Sequence, residues 1–478
     1  MRVVMGLVAI VTMALAFAGS AMADGSFYIR GGGFGHGIGM SQYGSYGYAL
    51  HGKDYRWILG HYYQHTTLGT TSPNKIVRVL VGTSSAAFSG ATQVGNKKID
   101  PGATYWIRPQ ADGSLVVVNQ KGKKVGRFQA PLSATGPGPL SLAGVGTYRG
   151  SLVFSPNGSG GVQTVDYVGL DDYVRGVISW EMPSSWAPEA LKVQAVAART
   201  YAVTSSVGGG TYDLYSDTRS QMYGGVAAET PSTDAAVAAT RGQVVTYHGT
   251  PVITYFSSSS GGYTESIQNV WPGSQPEPWL VGVPDPYDGA AGNPNEHWGY
   301  TLGLSAAASK LGHYVKGQLL GIQVTKHGVS PRVLDAEVVG TKGSTQITGQ
   351  QLQSVFGLQT TLASFTTIST NPGAPPQSHN RRRGAAAHRA QQAEAQAVLA
   401  LPALVRDIVS GAVPGLHGTI MPAHSGDHVT IQVRGSHGWK TVANSTVGAG
   451  GSYGLQLPGP GTYRVVYGSY NGPAVTVS

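Results

Sequence analysis

No cysteine occurs among the 478 residues. Disulfides, thiolate metal sites and a cysteine nucleophile are therefore excluded, and the chain must hold itself together through its core alone. Charge is scarce as well, at 12% of residues, and the excess of +9 is mild for this length. Basic residues do not form a stripe interleaved with aromatics, so nucleic acid is excluded as a partner. The single long apolar run, 3–17, falls short of the ~20 residues that a membrane span needs. With Arg2 before it and Ala21-Met-Ala23 after it, the run reads as a signal peptide over 1–23. Cleavage there leaves a chain that begins near Asp24 with no membrane span, secreted or held in the cell wall. A polyanion outside the cell is then the natural partner of the remaining positive charge.

What is present is organised around 173–201, which reads Tyr173-Val-Arg-Gly-Val-Ile-Ser-Trp-Glu181-Met-Pro-Ser-Ser-Trp186-Ala-Pro-Glu189-Ala-Leu-Lys192 and continues to Ala-Ala-Arg199-Thr-Tyr201. The pattern predicts a short apolar strand, an extended turn at Glu181-Met-Pro, and an alanine-rich helix. Ser184 or Ser185 is expected to cap that helix, with Pro188 and Glu189 in its first turn. Leu191, Ala195, Ala198 and Ala202 form its buried stripe. Lys192 and Arg199, seven apart, share another face, and Gln194 lies opposite them in a structural role. A carboxylate held between two rigid elements is suited to chemistry, which makes Glu181 the candidate catalytic residue. A helix-entry carboxylate that only caps or pairs with Arg199 is the competing reading.

Glycine dominates the stretch before it: Gly31-Gly-Gly-Phe34-Gly35-His36-Gly37-Ile38-Gly39-Met40-Ser41-Gln42-Tyr43-Gly44. Alternate glycines permit close backbone approach and positive φ. The spacing fits a nucleotide loop poorly and no lysine follows it. Helices are expected over 40–50 and 55–63. His61 and His65 have i, i+4 spacing but lack a third ligand, so they are not read as a metal site. Strands follow at 76–81, 104–107, 115–118, 148–154 and 162–168. After the central helix come a helix over 232–240, strands at 243–247 and 252–257, and the run Ser257-Ser-Ser-Ser260-Gly-Gly-Tyr-Thr-Glu265. That run reads either as a flexible loop or as a polar lining around Ser260 and Glu265. Helices at 304–311 and 348–356 and strands at 319–326 and 332–340 complete this part. A linker with Arg381-Arg-Arg383 occupies 369–402. The tail, 403–478, alternates at period two and predicts a small immunoglobulin-like β-sandwich.

Two motifs, 173–201 and Gly35-His-Gly-Ile-Gly-Met-Ser-Gln-Tyr-Gly44, resemble the SpoIID/LytB family of cell-wall proteins, with support from Tyr148-Arg-Gly150, Gly261-Gly-Tyr-Thr-Glu265 and Val270-Trp271. The resemblance covers about 27–365. It implies an α+β fold: a SpoIID-like mixed domain over 24–368 with an alanine-rich active-site helix and a β-rich part (75–170), before the C-terminal sandwich. In the family the Gly-His-Gly motif usually closes the domain, whereas here it opens it, so 27–66 is expected to fold back onto the catalytic part (171–365). Some members bind zinc through a cysteine just before the Gln221-Met-Tyr223 motif. Ser220 stands there, so no metal and no cofactor is expected. The implied activity is a peptidoglycan lytic transglycosylase with Glu181 as its single acid/base. His36, Gln42, Tyr43, Lys192, Arg199, Ser260 and Glu265 would hold substrate, and Glu265 is the rival acid. The alternatives are a non-catalytic peptidoglycan-binding enhancer of a cell-wall amidase, or a structural surface protein.

Overall fold

The computed structural model describes residues 24–84, 86–289, 292–372 and 415–477. The expected signal peptide, most of the expected linker and the first residues of the expected tail lie outside the described residues. The architecture is mixed α+β.

Four helices frame the centre. Helix α1 (Gln42–Leu50) starts at Ser41, whose hydroxyl accepts the Gly44 N–H, and α2 (Tyr55–Tyr62) starts at Asp54, which accepts the Trp57 N–H. Helix α3 (Leu170–Glu181) replaces the expected strand. Tyr173, Val174, Val177 and Ile178 lie on one buried face, a helical spacing that so short a run cannot distinguish from a strand by composition. Gly176 decides the packing: a Cβ there would come within 2.5 Å of the Tyr223 ring. The turn at 182–187 then leads into α4 (Pro188–Thr204), whose N-cap is Ala187. Neither Ser184 nor Ser185 caps it, and Pro188 alone supplies the pre-set first turn. Residues 193–200 are all buried, not just one stripe. Alanine at 195, 197 and 198 lets α1, α2, α3 and the strand Gln243–Tyr247 pack close around α4.

The β-rich part forms two sheets on one core. One runs, in spatial order, Leu214–Tyr215, Ile76–Gly82, Val162–Gly169, Ser151–Pro156, Leu132–Thr135, Gln93–Val94 and Lys97–Lys98. The other runs Lys124–Phe128, Leu115–Asn119, Tyr105–Pro109, Ala86–Ser89, Leu140–Leu142 and Gly146–Tyr148. Phe88, Ile107, Leu115, Val117 and Phe154 fill the space between them and belong to the same core as α1–α4.

The N-terminal strand Asp24–Gly31 is sandwiched between Trp298–Gly303 and Ala363–Pro372, antiparallel to both. The glycine stretch then runs along 255–259: Phe34 and Ser259 exchange backbone hydrogen bonds, and the Met40 N–H donates to the Tyr255 carbonyl. Gly33, Gly35, Gly37 and Gly39 all have positive φ. A Cβ on Gly37 would come within 2.3 Å of the Arg332 guanidinium, and one on Gly39 within 2.2 Å of the Tyr255 carbonyl oxygen, so this contact requires glycine.

The strand Ala363–Pro372 continues past the expected domain end at 368 and pairs with Gly415–Met421. The tail is thus continuous with the main sheet. Its strands His428–Gly435, Gly438–Thr446 and Gly461–Tyr467 form a second layer over a core that includes Leu416, Ile431, Val465 and Ile368.

Candidate active site

Glu181 is the last residue of α3, and its carboxylate is met from two sides. Oε1 accepts the Met222 N–H at 2.7 Å, and Oε2 accepts the Gln42 side-chain amide at 3.3 Å. Burial pushes this carboxyl above the usual range, and those two donors pull it partly back. The loop that carries Met222 is held from below. The Tyr223 hydroxyl donates to Asp166 at 2.8 Å, and Gln221 donates to the Tyr173 hydroxyl and the Ala198 carbonyl. The Met222 donor is a backbone group, which leaves no side-chain signal in the sequence.

The fold brings the two halves of the expected site together. Gln42 touches Glu181 directly, and the Tyr43 ring meets Trp186, on the turn after Glu181, at 4.9 Å. Tyr46 stacks flat on the same indole at 4.5 Å. His36 sits against Trp271 and Tyr255, and Tyr255 in turn against Tyr201, a ring within the electrostatic reach of Glu181. The His36 Nδ1 accepts the Ile38 N–H, while burial and the Arg332 charge push its pKa down to about 4, so the ring is neutral at ordinary pH. The exposed Trp180 lies across Gly224 on the outer side of the loop.

Four other expected ligands are placed elsewhere. Arg199 is fully buried, with Nε on Asp171 at 2.6 Å and Nη1 on the Ala195 and Gln243 carbonyls; it ties α4 to the start of α3. Lys192 pairs with Glu189 at 2.6 Å, while Glu189 also caps α2 through the Tyr55 N–H. Ser260 is buried and donates to Asp285 at 2.7 Å. Ser259 and Ser260 are thus held by buried carboxylates further along the chain rather than lying in a flexible loop.

Glu265 is also fully buried. It accepts five hydrogen bonds, from the Ser266, Val329 and Ser330 N–H groups, the Asn269 amide and the Ser330 hydroxyl. It has no free oxygen to offer a substrate.

His61 contacts the Tyr48 hydroxyl and the Pro284 carbonyl, and His65 lies past the end of α2 with φ 59°, so the two share no helix face. Among the described residues, no group of three histidine or carboxylate side chains is gathered to hold a metal ion. One cavity of about 700 Å³ lies where the helix Leu304–Leu311 faces the tail, and another of about 400 Å³ lies beside Arg30 and His327. Neither is lined by Glu181 or by a residue bonded to it.

The family model described as Stage II sporulation protein (SpoIID) matches residues 158–247, the part that holds Glu181 and the Met222 loop. That match, and relatives named for both branches, support the resemblance to the SpoIID/LytB family. It is 42% identical over 129 residues to a Bacillus subtilis protein named amidase enhancer, covering 27% of this chain and 17% of that one. It is 35% identical over 193 residues to the stage II sporulation protein D of the same organism (36% and 55% covered). With the Bacillus amyloliquefaciens protein of that name it shares 29% over 213 residues (41% and 60% covered). The chain thus spans less than two thirds of the length of these relatives. No solved structure matches it.

Proposed function

We propose that this is an exported cell-wall protein that cleaves peptidoglycan glycan strands as a lytic transglycosylase. The observation that carries the reading is Glu181: a carboxyl whose burial favours the protonated form, held by two neutral donors and no cation. Protonated Glu181 gives its proton to the glycosidic oxygen as the C1–O bond breaks. The 6-hydroxyl of the same muramoyl unit attacks C1, and its proton passes to the Glu181 carboxylate. The products are a 1,6-anhydro end and a free 4-hydroxyl, with no water consumed. One carboxyl is enough for this route, which agrees with Glu265 being fully engaged elsewhere. Tyr43, Gln42 and neutral His36 line the substrate path from the N-terminal segment. The tail module is read as an immunoglobulin-like spacer or docking element. Among the described residues, no helix is long and apolar enough to cross a membrane.

The test is incubation of purified protein with stem-free glycan strands, followed by mass spectrometry of the ends. Wild type should release 1,6-anhydro ends and Glu181→Gln should not. Reducing ends would indicate a hydrolase instead. A second reading, a non-catalytic enhancer of a wall amidase that uses the same surface for binding, is favoured by the name of the 42%-identical relative. It requires that the protein alone cleave nothing and that it accelerate amidase digestion of purified sacculi.

A further inference from the structure

Glu181 owes one of its two donors to a helix that begins 139 residues earlier, so what fixes that helix matters. Helix α1 starts at Ser41, and Ser41 does two things. Its hydroxyl accepts the Gly44 N–H as a cap and donates to Asp288 Oδ1 at 2.6 Å. Asp288 is buried and collects four further donors: the Ser260 N–H on Oδ1, and the Ser259 hydroxyl, Gly261 N–H and Asn293 amide on Oδ2. Asp285 closes the same corner. It accepts the Tyr62 and Ser260 hydroxyls, and a Cβ on Gly44 would lie 2.2 Å from its Oδ2. The first turn of α1 is therefore seated on a carboxylate pair that also ties down the 259–261 backbone. Anionic oxygens favour this position, because a helix N-terminus presents unpaired N–H groups. Gln42, the residue after Ser41, is then aimed at Glu181.

We propose that Asp288 is a positioning residue for Glu181. Through Ser41 it fixes the start of α1, and so holds the Gln42 amide on the Glu181 carboxylate. The catalytic consequence rests on the reading of Glu181 as proton donor; the coupling itself does not. A hydrogen bond to the charged form lowers a carboxyl pKa, so loosening Gln42 must raise that of Glu181.

The test follows the Glu181 carboxyl by side-chain carbon NMR in the full-length protein, assigned by its loss in Glu181→Gln. Gln42→Ala should raise the titration midpoint, and Ser41→Ala should raise it in the same direction. The double variant should stop at the Gln42→Ala value, since both remove one path. An unchanged midpoint in Ser41→Ala, or a shift that adds in full to that of Gln42→Ala, would overturn the proposal. Asp288→Asn should behave as Ser41→Ala does; where it unfolds, Ser41→Ala decides. A purely structural role would lower the urea midpoint of Ser41→Ala and leave the titration alone. Failure of the catalytic reading would appear separately, as cleavage by Glu181→Gln with the NMR coupling intact.

Discussion

Glu181 and Glu265 are both glutamates against which the glycine-rich segment packs, yet they are built for opposite ends. Glu265 takes five donors at 2.6–3.1 Å, three of them backbone N–H groups, and lies within the electrostatic reach of Arg332. Glu181 takes two, neither of them charged. A carboxylate with every lone pair engaged is a knot in the fold, whereas one left under-solvated can hold and release a proton. The number of donors, more than burial, separates the two carboxylates here.

The largest effect that tests this contrast is on activity. Glu181→Gln should reduce glycan cleavage by roughly 10²–10⁴-fold, the range for loss of a general acid, while its urea midpoint stays near that of wild type. Glu265→Gln should do the reverse. Its amide turns a donor toward backbone N–H groups and leaves buried donors unpaired, costing about 1–3 kcal/mol by urea unfolding. Any cleavage lost by that variant should return in proportion to the folded fraction. Equal activity losses in two stable variants would dissolve the contrast.

Gly37→Ala comes next. Positive φ and the Arg332 contact should make it cost about 1–3 kcal/mol in urea unfolding. An unchanged midpoint would mean that the segment is seated less tightly than described.

A pH effect should follow from the acids near these sites. Burial and the charge of Asp288 push Asp285 up to about 7, and burial does the same to Asp166. Their folded values exceed the ordinary ~3.9 of an unfolded aspartate, so this stabilisation is complete below pH ~4 and declines as pH rises toward 7. Urea midpoints should fall from pH 5 to pH 8 in wild type, and fall less in Asp285→Asn. For catalysis, Glu181 must be protonated, so cleavage should fade on the alkaline side.

Lys192→Ala should have the smallest effect. Its half-exposed pair with Glu189 is worth at most about 1 kcal/mol, and cleavage should change by less than about 3-fold.

The sequence revealed the regular elements where a local rule governs them. The strand-like runs 76–81 and 162–168 form Ile76–Gly82 and Val162–Gly169, the period-two tail contains Gly461–Tyr467, and Thr348 and Gln351 form the capping box that starts the helix Gly349–Phe356. Helix α3 is not legible because its β-branched residues favour a strand locally, while Gly176 answers to a distant ring, Tyr223. The serine run misled because its acceptors, Asp285 and Asp288, come 25 to 29 residues later. Glu181 and Gln42 were legible as parts of motifs. The Met222 N–H was not, because a backbone donor is the same in every residue but proline.

The placement of Asp24–Gly31 between Trp298–Gly303 and Ala363–Pro372 has a consequence in time. A chain that emerges N-terminus first presents Gln42 early and Glu181 next, but the strand that seats the N-terminal segment must wait for residues more than 330 positions later. Closing so long a loop is slow. The pairing of Gln42 with Glu181 is therefore assembled last, and a chain caught halfway through folding carries its glutamate without that donor.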